Sequence, residues 1–237
     1  MHLLIPSVAL LLATATAAQD AAETPRAEPA PAGEFQAPKD WKPLGPHLWF
    51  DPTTEPKRLI IEARVVLREG PLEHLLCLRG TKEHEAIVAT AAAPKQIHAG
   101  LLLTGAEVGH PVRFRPKFEP PSGSPIAITV QWNQDGELVE ADARSWIKDD
   151  KAGKELKLDW VFAGSTIYED PITKKKVYAA EEGDLITVAN FGSSILDLPV
   201  ASSADNSNLF HIANTEKIPP VGTEVRLILA PRPSNPQ

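Results

Sequence analysis

The chain has one cysteine, Cys77, in 237 residues. A single thiol excludes a disulfide within the chain. It also excludes an iron–sulfur cluster held by the chain's own cysteines, because such clusters normally need four. The fold must therefore be stabilised by an apolar core rather than by covalent cross-links. Cys77 itself is either buried and inert, reactive, or paired with another chain.

Basic residues are also few relative to acidic ones. Lysine and arginine total 24 against 31 aspartates and glutamates, which gives a formal net charge of −7. The longest basic run is the three lysines at 174–176, which follow Asp170-Pro171 and predict a solvated turn. An acidic chain without a long basic run is a poor nucleic-acid binder, so we expect no nucleic-acid partner.

Apolar runs of membrane-spanning length are absent as well. The run at residues 3–13 (LLIPSVALLLA) is shorter than the roughly 20 apolar residues that cross a bilayer. Ala15-Thr16-Ala17 follows it and fits the A-x-A cleavage pattern. Residues 1–18 are therefore predicted to be a signal peptide. This predicts a protein exported to the periplasm, the cell envelope or the extracellular space, with no transmembrane segment after cleavage.

Composition divides the rest of the chain. Residues 19–40 are rich in alanine, proline and glutamate, with too little apolar surface to offset the entropy of ordering, so they predict a disordered linker. Residues 41–231 are long enough for one domain with a sizeable core. Residues 232–237 are predicted to be a frayed tail, and we expect a monomer.

A hairpin is predicted over residues 126–143. Asp135-Gly136 is a two-residue turn signal, and it sets a register in which one face is wholly apolar and the other polar. A slip by one residue would destroy this separation. The predicted pairs are Gln134–Glu137, Trp132–Val139, Val130–Ala141 and Ile128–Ala143, with Gln131–Glu140 and Thr129–Asp142 on the polar face.

Other segments predict further strands and one helix. Residues 59–67 place Leu59, Ile61 and alternate residues after them on one apolar face, as in a strand. Residues 94–104 predict a helix, although Gly100 inside it lowers helix stability by about 1 kcal/mol relative to alanine. The predicted fold is therefore α+β, a mainly antiparallel sheet with one short packed helix.

Side chains that bind metals or move protons are concentrated at residues 71–85 (PLEHLLCLRGTKEHE). His74 and Cys77 form an H-x-x-C spacing, and His84 and His98 are further candidate ligands. Such a set suits zinc or copper, with open positions for water.

A second interpretation of Cys77 is structural. On an extended segment His74 and Cys77 point to opposite faces. Cys77 also lies between Leu76 and Leu78, a setting typical of a buried thiol. No cofactor is therefore assigned, and zinc or copper is kept as an alternative.

The polar turn Lys82-Glu83-His84-Glu85, together with His74, is the candidate functional loop. One hypothesis is an exposed loop that binds an anion or transfers a proton. The other is a solvated charged turn between two strands. The first is retained because loops carry function more often than core positions do.

Several blocks of the sequence resemble the YdjY-domain family, especially its secreted planctomycete-type members. These blocks are LREGPLEHLLCLRGTKEHE (67–85), PKQIHAGLLLTGAEVG (94–109), WVFAGS (160–165), GDLITVANF (183–191) and LDLP (196–199). The resemblance covers nearly all of the predicted domain and implies no particular biochemical activity. The association of some relatives with ferredoxin-like iron–sulfur proteins implies an electron-transfer context, in which a chain with Cys77 alone would need a partner.

The predicted function is an exported, non-enzymatic binding or accessory module of the cell envelope, because no serine-hydrolase motif and no phosphate-binding glycine loop is present. The first rival is a metal-dependent or redox enzyme centred on His74, Cys77, His84 and His98. The second is an envelope structural protein. The expected partner is a protein or a small molecule that the sequence does not identify.

Overall fold

The structure is a computed structural model that describes residues 36–200 and 211–232. The predicted signal peptide, most of the predicted linker and residues 233–237 of the predicted tail lie outside these ranges. In the described part the strands are β1 (Lys42–Gly45), β2 (Leu48–Asp51), β3 (Arg58–Val65), β4 (Pro71–Leu72), β5 (His74–Leu78), β6 (Ala86–Thr90), β7 (Pro125–Gln134), β8 (Glu137–Asp142), β9 (Ile147–Asp149), β10 (Trp160–Phe162), β11 (Ile167–Glu169), β12 (Lys176–Tyr178), β13 (Asp184–Thr187), β14 (Leu196–Asp197), β15 (His211–Ala213) and β16 (Glu224–Pro231). The α-helix in the described part, α1, is Pro94–Leu103.

Eight strands form a closed barrel in the order β3, β16, β7, β10, β14, β13, β5, β6 and back to β3. The closing contact uses the second half of β3, where Arg64 lies opposite Ala89 and Val65 opposite Val88. The first half of the same edge pairs with β2. The pairs β5–β6 and β13–β14 are parallel, and the other neighbours in the ring are antiparallel.

This closure corrects the predicted fold class. In the described residues strand is the main regular structure and there is one ten-residue α-helix, so the prediction of an α+β fold, a sheet with a packed helix, was wrong. In a closed barrel the apolar strand faces cover one another, so no helical layer is needed to bury them. Local alternation of apolar residues does not reveal which distant strands meet, and closure is therefore not visible in the pattern.

The hairpin was predicted in the correct register. The five pairs from Gln134–Glu137 to Thr129–Asp142 that were derived from the turn are all present in β7 and β8. The sixth predicted pair, Ile128–Ala143, does not belong to the ladder, because β8 ends at Asp142 and Ala143 begins a 3₁₀ turn. Val130 and Trp132 are buried in the main core, as the apolar face predicts.

The predicted helix is confirmed over Pro94–Leu103, and it buries Ile97 and Leu101. Gly100 is required by packing. A Cβ atom at this position would overlap the Leu59 side chain and would lie 3.1 Å from Cδ1 of Leu44. Among the described residues, no helix combines the length and the apolar character that crossing a membrane requires.

Replacing Gly100 by alanine tests this packing. Alanine favours an isolated helix by about 1 kcal/mol, but overpacking here is expected to cost more, so that the free energy of unfolding falls by about 1–3 kcal/mol. Urea denaturation of Gly100→Ala measures the change. The exposed neighbour variant Ala99→Gly is the control, with an expected loss of about 1 kcal/mol from propensity alone. A Gly100→Ala protein as stable as the wild type would contradict the packing argument.

Candidate functional site

The parallel pairing of β5 with β6 brings two glutamates together. His74 lies opposite Ala86, so the residues that precede them, Glu73 and Glu85, become neighbours. The backbone N–H groups of Glu73 and His74 both donate to the carbonyl oxygen of Glu85, each at 3.1 Å. The N–H of Val188 donates to the Glu73 carbonyl at 2.8 Å. The backbone around His74 is therefore held from both neighbouring strands.

His74 is completely buried, and its side chain contacts an aspartate through Nε2 and an aromatic ring through one face. Its Nε2 lies 2.8 Å from Oδ1 of Asp184, the first residue of β13. The hydroxyl of Ser193 donates to the other carboxylate oxygen of Asp184. The Phe191 ring stacks on the imidazole, with ring centroids 5.5 Å apart and planes 10° apart.

These contacts control the ionisation of Asp184. Burial alone would raise the pKa of its carboxyl, but the hydrogen bonds with His74 and Ser193 outweigh burial and hold the pKa below its usual value. Asp184 is therefore an ionised acceptor at neutral pH. An ionised carboxylate on Nε2 favours the tautomer that carries hydrogen on Nε2 and leaves a lone pair on Nδ1.

Nδ1 of His74 is buried and has no hydrogen-bond partner. It lies 4.0 Å from Oε1 of Glu85. One donor atom each from Glu73, His74 and Glu85 lies within 4.8 Å of the other two. In the described ranges, 36–200 and 211–232, this is the group of three such side chains that could hold a metal ion.

The two glutamates influence each other. Burial, followed by the nearby negative charge of Glu85, raises the pKa of Glu73, while His74 and Lys82 act in the opposite direction. The raised pKa means that the Glu73 carboxyl binds a proton more readily than an isolated glutamate does, as neighbouring carboxylates do. The arrangement can hold either a shared proton or a positive ion.

The site is not a serine-hydrolase triad. In such a triad the serine hydroxyl bonds to histidine, and the histidine bonds to aspartate through its other nitrogen. Here the Ser193 hydroxyl bonds to Asp184, and the histidine nitrogen left over faces glutamate. One imidazole nitrogen and two carboxylates instead resemble the ligand sets of zinc sites.

Some residues of the predicted functional loop belong to this site, and others lie outside it. Glu85 and His74 are part of it. Lys82 is close enough to act electrostatically on Glu73 and Asp184. Glu83 accepts a hydrogen bond from the N–H of Gly80 at 2.7 Å and so stabilises the turn. His84 has an exposed side chain, with Nε2 3.6 Å from Oε2 of Glu85.

The other predicted ligands lie elsewhere. Cys77 is buried in a small apolar cluster with Ala86 and Ala89, and burial raises the pKa of its thiol to about 11. Nδ1 of His98 lies 2.8 Å from the Tyr178 hydroxyl. The four residues His74, Cys77, His84 and His98 are thus not gathered around one point.

Sequence reasoning missed Glu73, Asp184, Phe191 and Ser193. Glu73 is adjacent to His74, but only the parallel strand pairing shows that it faces Glu85. The sequence did contain a signal for Asp184, because it is the one carboxylate in the apolar strand DLIT. A buried charge in such a strand needs a partner. Phe191 is the last residue of the GDLITVANF block, one of those that resemble the YdjY-domain family.

Comparison with known proteins identifies the family. The family model described as YdjY domain matches residues 53–230, which is more than half of the chain, and this confirms the resemblance. No curated protein and no solved structure matches the chain.

Replacing Asp184 by asparagine tests the His74–Asp184 contact. Because the pKa of Asp184 is lowered by folding, its ionised form stabilises the protein above the unfolded-state value near 3.8, and this contribution is lost as the pH falls through the folded-state value. Asp184→Asn is expected to lower the free energy of unfolding by about 1–3 kcal/mol at pH 7. The deficit should shrink as the pH is lowered below about 4.

Urea denaturation at pH 7, 5 and 3.5 measures this deficit. His84→Gln, at an exposed position beside the same site, is the control and should leave stability unchanged. A deficit of equal size at every pH would show that the charge of Asp184 does not stabilise the fold.

Proposed function

The chain belongs to the YdjY-domain family, and we propose that it is an exported accessory module of the cell envelope that binds one divalent cation through Glu73, His74 and Glu85. The observation that carries this proposal is the buried, unpartnered Nδ1 of His74, which faces a carboxylate oxygen of Glu85 at 4.0 Å. The prediction of a signal peptide and a linker supports the exported setting.

The state of His74 favours a ligand at Nδ1. A buried polar atom without a partner costs about 1–3 kcal/mol, so a native protein normally supplies one. Nε2 is already occupied by Asp184. A histidine whose second nitrogen bonds a carboxylate is the usual arrangement of a metal ligand, because the outer carboxylate orients the ring and makes it more basic.

Charge favours a cation in the same place. Glu73 and Glu85 carry neighbouring carboxyls, and their mutual repulsion contributes to the raised pKa of Glu73. A divalent ion would offset both negative charges. Glu73 and Glu85 are half-buried rather than enclosed, so their carboxylates have room to turn toward an ion.

The donor set points to zinc. Imidazole suits zinc, copper, iron and nickel, whereas carboxylates are also ligands of zinc at about 2.0–2.2 Å. A thiolate is not part of the site, because Cys77 lies in its own apolar cluster and its raised pKa keeps the thiol protonated at neutral pH. This composition disfavours Cu(I), which prefers soft sulfur ligands.

Zinc binding by the mature chain without a histidine tag is the direct test. After treatment with a chelator, the protein is expected to take up one equivalent of Zn²⁺, measured by calorimetry and by elemental analysis. Zinc at 100 times the dissociation constant should stabilise the fold by about 2.7 kcal/mol. Glu73→Gln and Glu85→Gln should each weaken binding by more than about 100-fold, beyond the 10–100-fold typical of outer-shell changes.

Glu83→Gln and His84→Gln are matched controls from the same turn and should bind zinc as the wild type does. Binding should also weaken as the pH is lowered, because the pKa of Glu73 is raised and a proton on its carboxyl competes with the ion. Absence of stoichiometric zinc, or loss of binding in the control variants alone, would refute the site.

A metal-dependent enzyme is the second candidate, and one observation favours it. Three protein ligands leave coordination positions open, as in catalytic rather than structural zinc sites. Turnover of ester, amide or phosphate substrates that requires zinc and disappears in Glu85→Gln would establish an enzyme and replace the accessory role.

A further inference from the structure

The loop between β13 and β14, residues 188–195, supplies two contacts that orient the candidate cation ligand. Its Phe191 ring stacks on the imidazole of His74. Its Ser193 hydroxyl bonds to Asp184, which in turn bonds Nε2 of His74. Displacement of this loop would therefore free the imidazole on one face and remove one of the hydrogen bonds that hold its carboxylate partner.

A buried carboxyl, Asp197, connects this loop to both flanking strands. Its Oδ1 accepts hydrogen bonds from Thr187 Oγ1 at 3.0 Å, from Asn190 Nδ2 at 3.2 Å and from the N–H of Leu198 at 2.8 Å. The backbone of Phe191 also bonds to it. One carboxyl thus joins the last residue of β13, two residues inside the loop and the residue that follows β14.

The loop has further links to the same centre. The hydroxyls of Thr187 and Ser194 lie 2.8 Å apart, and Asn190 Nδ2 donates to the carbonyl oxygen of Leu198 at 3.1 Å. Thr187 lies directly opposite His74 across the β13–β5 pairing. The network around Asp197 therefore adjoins the strand that carries His74, although no hydrogen bond between Asp197 and a proposed ligand is present among the described residues.

We propose that Asp197 is a positioning residue for the cation site, because its carboxyl holds the 188–195 loop against His74 and Asp184 and so sets the affinity for the ion. The expected effect on ion affinity rests on the proposed cation site. The structural part of the inference, the position of the loop, is independent of any metal. Asp197 acts through the loop and does not contact the ion.

The surroundings of Asp197 show why an acceptor at this point matters. The residue is completely buried, and burial raises the pKa of its carboxyl to about 7. Its Oδ2 has no hydrogen-bond partner, and the hydrogen bonds from Thr187, Asn190 and Leu198 all run to Oδ1. Asparagine can present the same acceptor oxygen, whereas alanine presents none and leaves its donors unpaired.

The test compares Asp197→Ala with Asp197→Asn in the mature chain. Zinc affinity is measured by calorimetry, loop opening by amide hydrogen exchange at residues 188–195, and the His74 ring by its imidazole ¹⁵N signals in cation-free protein. Asp197→Ala is expected to weaken zinc binding by about 10–100-fold, as outer-shell changes do. It should also speed amide exchange in the loop and shift the His74 signals, while Asp197→Asn restores all three.

Asn214→Ala is the matched control. Asn214 is also buried, and its Nδ2 donates to the carbonyl oxygen of Ser145 at 2.8 Å, a hydrogen bond that involves no residue of the 188–195 loop. Its loss should lower global stability without changing zinc affinity or the His74 signals. If Asp197→Ala does not fold, Thr187→Val removes one of the same hydrogen bonds and should move the three readouts in the same direction by less.

The outcomes separate the two proposals. If wild-type protein binds no zinc, the proposed function fails, and the positioning role is decided by loop exchange and by the His74 signals. If the wild type binds zinc and Asp197→Ala binds it equally well, the cation site stands and the positioning role is overturned. Equal losses in Asp197→Ala and Asn214→Ala would also overturn it, because they would reflect global destabilisation alone.

Discussion

The closure of the barrel at the second half of β3 is the constraint on which the rest of the structure depends. Arg64 and Val65 pair with Ala89 and Val88, and this contact joins β6 to a sheet that would otherwise end there. Closure gives the barrel strands partners on both edges and buries their apolar faces without a helical layer. The closing strand β6 also pairs with β5, and β5 lies between β6 and β13, where the candidate site is found.

The site follows from strand order more than from any sequence motif. The parallel β5–β6 pair places Glu73 beside Glu85, each immediately before the first residue of its strand. The antiparallel β13 brings Asp184 to the other nitrogen of His74. The acidic residues on the two sides of the imidazole therefore have different roles. Asp184 is ionised and orients the ring, while Glu73 and Glu85 repel each other beside a nitrogen without a partner.

Some parts of the fold were predictable from the sequence, and others were not. The hairpin register was predictable because Asp135-Gly136 is a local turn and a one-residue slip would bury polar side chains. The helix was predictable from its end signals, although Gly100 then counted against it; the close approach of Leu59 is invisible in one sequence. The α+β class was wrong, because apolar alternation specifies which face of a strand is buried and not what covers it.

Composition and neighbours along the chain are enough to establish the single thiol, the acidic charge, the strand faces, the hairpin register and the family. The sequence also indicated the region around His74. The closure of the barrel is visible only in the folded chain, as is the meeting of Glu73, Asp184 and the 188–195 loop at that histidine. These contacts join strands far apart in the chain, and their pairing is set by the packing of the whole barrel.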